Sequence, residues 1–479
     1  MRELHRLASV LRYPDKVYTF RYKGRYLHYD VSRQHVVSVN EQGNTILDCV
    51  RSYSDLDGIV KACAQHYGLP LEEVRSATLA FLTQMLDEGF LRDSEQEHDS
   101  DDSPDESRPN LGVNLKSIYL HLTNACNQRC WYCYNQTFRK TSDSRDELGL
   151  DEYKQLLDSF AATEGESVIF TGGEPFLSPH LFALAKRVKR LGLRSSLLTN
   201  GTLFSPENAS ALCTNFDQII VSLDSKYRHE HDALRGQGTF DRTVAGIKAL
   251  TAHLRENPDI SCELYCRPVI TRENAAHILE YPQFIVKELG CTWALPNAYV
   301  PTRLEEYENG QHLPFREILP LLLEFRQRLE RLGGKMGRDV AALKSLAACA
   351  ACSTRVSIVP NGSIFPCQSM HHQELALGNV RDGRLEQVVA TSPVSRFFHT
   401  FDYTQIESCR DCALGPLCGG GCRAMAYDYY HDLNACNKVS CRGFREELEY
   451  GLWQRTVGDE AFGTLSGGMK DDSSGAGCI

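Results

Sequence analysis

The stretch from about residue 116 to 335 predicts an α/β fold on a parallel sheet, and three observations carry that reading. Short apolar strands alternate there with amphipathic helices, and repeated strand–helix units build a parallel sheet with right-handed crossovers. A cysteine-rich loop follows the first strand directly, at the end where such sheets place their sites. Upstream, residues 93–108 (DSEQEHDSDDSPDESR) hold eight acidic residues and no large apolar one. That is the composition of a solvated, disordered linker, and it sets a domain boundary.

The elements follow in order. Val17–Tyr22 and Arg25–Val31 are rich in β-branched and aromatic residues and flank Lys23-Gly24, so they read as a hairpin. Val36–Val39 offers a third strand. Ser54 is placed to cap a helix carrying Leu56, Ile59, Val60, Cys63 and Tyr67 on one face. A second helix sets Val74, Thr78, Leu82 and Met85 at helical spacing and stops at Gly89. Past the linker, strands are expected at Ser117–Leu122, Ser167–Phe170, Ser195–Leu198, Gln218–Leu223, Ser261–Ile270 and Thr292–Ala298. Helices are expected near 151–163, 178–191, 205–214, 241–255, 273–289 and 315–333. Six such units are too few for a closed eight-fold barrel.

Composition narrows the function classes. Apolar residues make up 42% of the 479, enough for substantial cores. A formal charge of −10 argues against a nonspecific nucleic-acid binder. The first 30 residues lack the apolar core of a secretory signal, and no apolar stretch approaches a membrane span. The expectation is a cytoplasmic protein with neither nucleic acid nor membrane as partner. The 19 cysteines are odd in number and mostly clustered, which suits metal ligation in a reducing compartment better than disulfides.

The most informative run is Thr123-Asn-Ala-Cys126-Asn-Gln-Arg-Cys130-Trp-Tyr-Cys133, with C-x3-C-x2-C spacing. Three thiolates on one loop can hold three corners of a cubane iron–sulfur cluster and leave one iron open to a small chelating molecule. Paired C-x2-C hooks of a zinc site are spaced differently. The plain alternative is three thiols packed as small hydrophobes. The run resembles the signature of the radical S-adenosylmethionine (SAM) enzymes. That resemblance implies an open iron binding the amino and carboxylate groups of SAM, reductive cleavage to a 5′-deoxyadenosyl radical, and a partial (β/α)6 TIM barrel.

Other positions extend the likeness. Gly172-Gly173-Glu174-Pro175 ends the second strand about 40 residues past the cysteine loop. It is an ordinary turn by itself, and it resembles the family's GGE motif, which implies contact with the methionine amino group. Two glycines also let backbone approach a ligand closely. Ser222-Leu223-Asp224, with Arg235 downstream, resembles the family's Ser-Leu-Asp and arginine pattern, although the spacing is one residue longer. The likeness implies Ser222 near the SAM ribose or carboxylate and Arg235 forked on the carboxylate; a surface salt bridge is the plain alternative. Asp224 joins them as a cofactor-side residue, and Tyr132 is expected beside the adenine or the cluster.

A second constellation fills the C-terminal third. Cys352-x9-Gly362-x4-Cys367 is followed by Cys409-x2-Cys412-x5-Cys418-x3-Cys422, with Cys436 and Cys441 beyond. The pattern resembles the SPASM extension of radical SAM enzymes. Two zinc ribbons would leave Cys367, Cys418 and Cys422 unused. By the family's ligation, Cys352, Cys367 and Cys422 hold one auxiliary 4Fe–4S cluster, completed by Cys349 or left with an open iron. Cys409, Cys412, Cys418 and a later cysteine hold the other; Cys441, with 18 residues between it and Cys422, suits the family better than Cys436. With the first loop this makes three 4Fe–4S clusters. Cys49, Cys63, Cys213, Cys262, Cys266, Cys291 and Cys478 fall outside both patterns.

The N-terminal hairpin-then-helices order resembles the winged-helix recognition element of ribosomal-peptide maturation enzymes, which grips a leader peptide as an added strand; the plain alternatives are a structural cap or a nucleic-acid winged helix, the second weakened by the acidic balance. The resulting layout is a peptide-recognition domain (1–92), the acidic linker (93–112), the barrel (113–338), a SPASM domain (339–455) and a Gly/Ser-rich tail (456–479). It looks like a maturase of a precursor peptide or small protein subunit, served by a reductant such as flavodoxin or ferredoxin. SCIFF-type and quinohemoprotein amine dehydrogenase maturases suggest thioether cross-links between a cysteine sulfur and a substrate carbon. Formylglycine formation on sulfatases is disfavoured, because that family places an aspartate base directly after the cysteine matching Cys367, where this chain has Gln368. Carbon–carbon cross-linking, epimerisation and a non-catalytic iron–sulfur electron carrier or peptide adaptor stay open. No catalytic base is assigned.

Overall fold

The computed structural model describes residues 11–93, 113–135, 146–337 and 349–457, apart from positions 23, 34, 309 and 311. The expected linker and tail, with Cys478, lie almost wholly outside them.

The N-terminal module is an antiparallel meander of β1 (Val17–Tyr22), β2 (Arg25–Asp30) and β3 (His35–Asn40), with Val17 opposite Asp30 and Arg25 opposite Asn40. Three helices follow, one more than the periodicity suggests: α1 (Glu41–Ser52), α2 (Leu56–Tyr67) and α3 (Leu71–Asp87). The side chain of Asn40 caps α1 by accepting the Gly43 N–H at 2.8 Å. Asp55, not Ser54, caps α2, taking the Gly58 N–H at 2.8 Å. Gly89, at φ +75°, turns the chain out of α3. Val37 and Val39 pack with Ile46, Leu47, Ile59, Leu82 and Met85 under one face of the sheet. Leu27 and Tyr29 pack with Leu448, Leu452 and Trp453 of a C-terminal helix on the other.

The barrel strands are β4 (Ser117–His121), β5 (Ser167–Thr171), β6 (Arg194–Thr199), β7 (Gln218–Ser222), β8 (Glu263–Arg267), β9 (Trp293–Ala294) and β10 (Lys335–Met336). They pair in parallel in chain order. Helices α4 (Leu150–Ala162), α5 (Leu181–Arg190), α6 (Pro206–Asn215), α7 (Arg228–Arg235), α8 (Thr239–Glu256) and α9 (Phe315–Arg331) lie between them. Ile118, Leu120, Val168, Phe170, Ile219 and Val221 bury into the common core. Residues alternating with them, including His121, Thr171 and Ser222, stand on the opposite face. The expected helix 273–289 breaks into a 3₁₀ segment (Ala275–Glu280), one α-turn and a π segment (Phe284–Glu288). Pro282 lacks the N–H that a continuous helix needs there.

The sheet is wider than six strands and stays open. Besides β10 at one edge, β11 (Arg355–Ile358) adds parallel to β4 at the other, followed by antiparallel β12 (Ser363–Phe365) and β13 (Gly378–Asn379). Thus the cysteine-rich region is built onto the first barrel strand. It ends in α10 (Arg423–Tyr430) and α11 (Lys438–Val457). No described helix is long and apolar enough to cross a membrane.

Candidate active site

The cysteine loop leaves the end of β4 and is clasped by the loop after β5. The carbonyl of Thr123 accepts the Gly173 N–H at 2.7 Å, and that of Ala125 accepts the Glu174 N–H at 2.8 Å. The glycines permit this approach: a Cβ on Gly173 would stand 2.1 Å from the Ala125 oxygen, and one on Gly172, at φ +135°, 2.5 Å from the Thr123 oxygen. Their close approach is therefore to the chain itself. Glu174, 1% exposed, accepts from Thr199 Oγ1 (2.7 Å), the Asn200 N–H (2.8 Å) and the Phe176 N–H (3.2 Å). Burial still raises its pKa above the ordinary carboxylate value.

Tyr132, Asp224 and Arg235 meet beside this loop. Arg235 forks onto Asp224, Nε to Oδ2 at 2.6 Å and Nη2 to Oδ1 at 3.1 Å, and both side chains are buried. Tyr132 donates its hydroxyl to Asp224 Oδ2 at 2.5 Å, and the guanidinium carbon lies 5.5 Å from the centre of its ring. Asp224 also accepts the Val269 N–H at 3.0 Å. Burial, the largest single influence, opposes its charge, but Arg235, His231 and Tyr132 together outweigh it and hold the carboxyl below its usual range. So Arg235 is a buried strut in a fork geometry, not a surface ion pair. Ser222 is half-buried at the end of β7, opposite Arg267 of β8.

Cys126, Cys130 and Cys133 are half-buried free thiols. Burial pushes Cys130 up to about 11, and Arg235, whose Nη1 is 3.9 Å from its sulfur, opposes that shift. Cys133 and Cys126 are near enough to act on it electrostatically. Among the described residues no three such side chains are arranged as they would be around a single metal ion. The donor chemistry nonetheless fits a cluster: soft sulfur ligands on one loop, a buried cation beside them and a glycine clasp beneath.

The later cysteines gather into two groups. Cys367 feels Cys422, Cys349 and Cys352, and burial is the main cause of its raised pKa. Cys418, raised to about 12 chiefly by burial, feels Cys441, Cys412 and Cys409. Cys441 in turn feels Cys412 and Cys409. Cys352 adopts a left-handed backbone, φ 60°, rare for a residue with a Cβ.

Sequence reasoning missed Arg423. It is 2% exposed and lies within electrostatic reach of Cys422, Cys409, Cys418 and Cys349, drawn from both groups. Its guanidinium donates to the carbonyls of Leu433 (2.8 Å), Ala435 (3.0 Å), Gly421 (3.4 Å) and Gly420. A second omission is a histidine pair. His121 is wholly buried with neither ring nitrogen hydrogen-bonded, and its ring stands 4.7 Å from that of His371. His371 in turn bridges Ser357 Oγ (2.9 Å) and Asn135 Oδ1 (3.0 Å). Gln368 keeps its buried Oε1 unpaired.

Comparisons with known proteins find the same three-part layout. The family described as the radical SAM superfamily matches residues 120–281. An iron–sulfur cluster-binding domain, SPASM, matches 349–413, and coenzyme PQQ synthesis protein D (PqqD) matches 25–91. The chain is 27% identical over 344 residues to the AdoMet-dependent heme synthase of Nitratidesulfovibrio vulgaris, covering 66% of this chain and 89% of that protein. It is also 27% identical over 324 residues to the mycofactocin maturase MftC of Mycobacterium tuberculosis, covering 64% and 78%. Streptococcus suis SuiB bound to S-adenosylmethionine superposes with a TM-score of 0.55 at 15% identity, over 89% of this chain and all of that one. SuiB bound to its precursor peptide SuiA gives 0.54 at 14%, over 88% and all of that chain. At these identities the structural likeness is one of fold.

Proposed function

Because the chain is a radical SAM enzyme that also carries an iron–sulfur-binding SPASM domain and a PqqD-like domain, we propose that it matures a ribosomally made peptide by intrapeptide thioether cross-linking. The observation carrying this reading is the gathering of eight later cysteines into two groups of four, in a chain whose small N-terminal sheet packs against the same region. Tyr18 of that sheet donates to the carbonyl of Asp411, between Cys409 and Cys412, at 3.2 Å. A SAM-cleaving barrel alone needs none of this. SuiB, captured with a precursor peptide, supplies a parallel.

Cys126, Cys130 and Cys133 would hold the SAM-binding cluster. Cys349, Cys352, Cys367 and Cys422 would hold the first auxiliary cluster, and Cys409, Cys412, Cys418 and Cys441 the second, three in all. When bound and reduced by a carrier such as flavodoxin or ferredoxin, the first cluster supplies the electron that splits SAM into methionine and a 5′-deoxyadenosyl radical. The chain's own residues prepare the ground. The Gly172-Gly173 clasp fixes the cysteine loop through the Thr123 and Ala125 carbonyls and would border the methionine end of SAM. Glu174, its oxygens already satisfied, anchors that clasp from behind. Arg235 and Tyr132, locked by Asp224, keep a positive field beside the cluster loop, and Ser222 offers a hydroxyl toward the ribose.

The balance is simple. A substrate carbon loses a hydrogen atom to the deoxyadenosyl group, and a cysteine sulfur of the same peptide loses its proton and bonds to that carbon. One electron would leave, and auxiliary clusters held by the later cysteines would accept it. Gln368 cannot accept the proton at neutral pH, which keeps formylglycine formation the weaker reading. Anaerobic reconstitution with SAM, dithionite and the precursor peptide tests the proposal: deoxyadenosine should accumulate and each cross-link should cost the peptide two hydrogens. Deoxyadenosine without peptide change would leave only SAM cleavage. No deoxyadenosine at all would favour the electron-carrier alternative.

A further inference from the structure

A cavity of about 310 Å³ lies among Tyr299, Val300, Leu313, Phe315, Gly443 and Phe444. Its walls come from two parts of the chain, residues 298–318 and 425–447. Tyr299 packs against Trp131 (5.2 Å between ring centres) and Tyr132 (6.1 Å), both on the cysteine loop. Phe315 lies at the start of α9 and contacts Tyr450 (6.3 Å), within the cluster that seats the N-terminal sheet on α11. The cavity thus stands between the peptide-recognition domain and the loop that would hold the SAM-binding cluster.

Gly443 is the telling residue. It is the sixth of twenty residues in α11, and glycine is the residue a helix interior tolerates least after proline. Close packing does not explain it, since a Cβ built there meets no atom within 4 Å. At Gly43 in α1, by contrast, the Phe81 ring would stand 2.7 Å from the added carbon. Gly443 lines the cavity, and a side chain added there would have open space to occupy. The lining is apolar: Val300 is 52% exposed, unusual for so large a hydrophobe. Polar atoms sit at its margin. His312 stacks on Tyr307 at 3.8 Å between ring centres and leaves a buried Nδ1 unbonded, and Arg442 pairs with Glu446. An apolar recess with a few polar groups at its edge is the usual form of a small-ligand or side-chain site.

We propose that this cavity receives one apolar side chain, aromatic or branched aliphatic, from the substrate peptide, in the span between the captured leader and the residues to be modified. The inference rests on the peptide-maturase reading and adds a specificity pocket to it. The occupant is a peptide residue, because one wall residue, Phe315, packs against the cluster that seats the N-terminal sheet, and another, Tyr299, packs against the cysteine loop.

The test needs neither clusters nor the natural peptide. Wild-type full-length protein is titrated with N-acetyl-L-phenylalaninamide, with N-acetyl-L-lysinamide as control, by ligand-observed saturation-transfer NMR. Saturable millimolar binding of the phenylalanine probe alone is expected. Gly443→Phe fills the recess and Val300→Asp places a charge at its mouth, and each should weaken binding about tenfold, some 1.4 kcal/mol. Circular dichroism and the melting midpoint check that each variant is folded; Val300 is exposed enough that its variant keeps the fold. The inference is overturned if wild type shows no saturable binding or if folded variants bind as wild type does. Absence of deoxyadenosine in the reconstitution assay would instead sink the maturase reading and leave the titration untouched.

Discussion

Arg235, Asp224 and Tyr132 form a buried, mutually bonded unit, and removing one charge of a buried pair leaves the other stranded. Asp224→Asn should cost about 3 kcal/mol of unfolding free energy, read by urea denaturation of the cluster-free protein. A loss under 1 kcal/mol would mean that Arg235 finds another partner. The cysteines were legible because their chemistry lies in their spacing, which a linear sequence displays. Arg423 was not. Its partners are main-chain carbonyls at 420, 421, 433 and 435, and nothing in those residue types announces a cation site. His121 was equally silent, because strand periodicity marks it only as one more inward position. Arg235 was visible as a fork-bearing residue, yet the Asp224 that occupies its fork in the structure was placed beside it only as a fellow cofactor contact.

At the scale of elements, the β5 loop and the cysteine loop behave as one piece. Gly173→Ala would push a methyl into the Ala125 carbonyl, so the clasp must shift. We expect a loss of about 1–3 kcal/mol and poorer iron uptake by the first site, measured by melting and by iron analysis after reconstitution. Replacing Cys126, Cys130 and Cys133 together by alanine should abolish deoxyadenosine release and lower iron from about twelve to about eight per chain, at four irons per cubane. Retained deoxyadenosine would show that the loop does not hold the cluster. The barrel strands and most helices were legible from periodicity. Helix α1 escaped notice because Gly43, Asn44 and Thr45 are poor helix formers. It forms because Asn40 caps it, Ile46, Leu47 and Val50 bury, and Gly43 lets Phe81 approach. The break at Pro282 was marked in the sequence, where a single helix had been drawn through it.

Across the whole molecule, several histidines are buried in the neutral state. Burial lowers His28 and His231 from 6.5 to about 4. Between those values the unfolded chain binds more protons, so their stabilisation is complete above about 6.5 and fades as pH falls toward 4. Each should cost about 2 kcal/mol between pH 7 and 5. Urea unfolding at both values checks this, and His28→Gln should remove about that share of the difference. The three-part layout was visible from composition shifts and cysteine clusters. The joining of the C-terminal part to the barrel through β11 was not, since strand pairing between residues 117 and 355 leaves no local trace. Arg423 has a consequence at this scale. Its guanidinium is tethered by four carbonyls, so it is a fixed charge shared by two thiol groups and cannot swing from one to the other. Both groups therefore sit in one fixed positive field, and a single substitution removes it from both. In a redox titration, the two late centres should shift together when Arg423 is replaced by methionine, both toward more negative potentials.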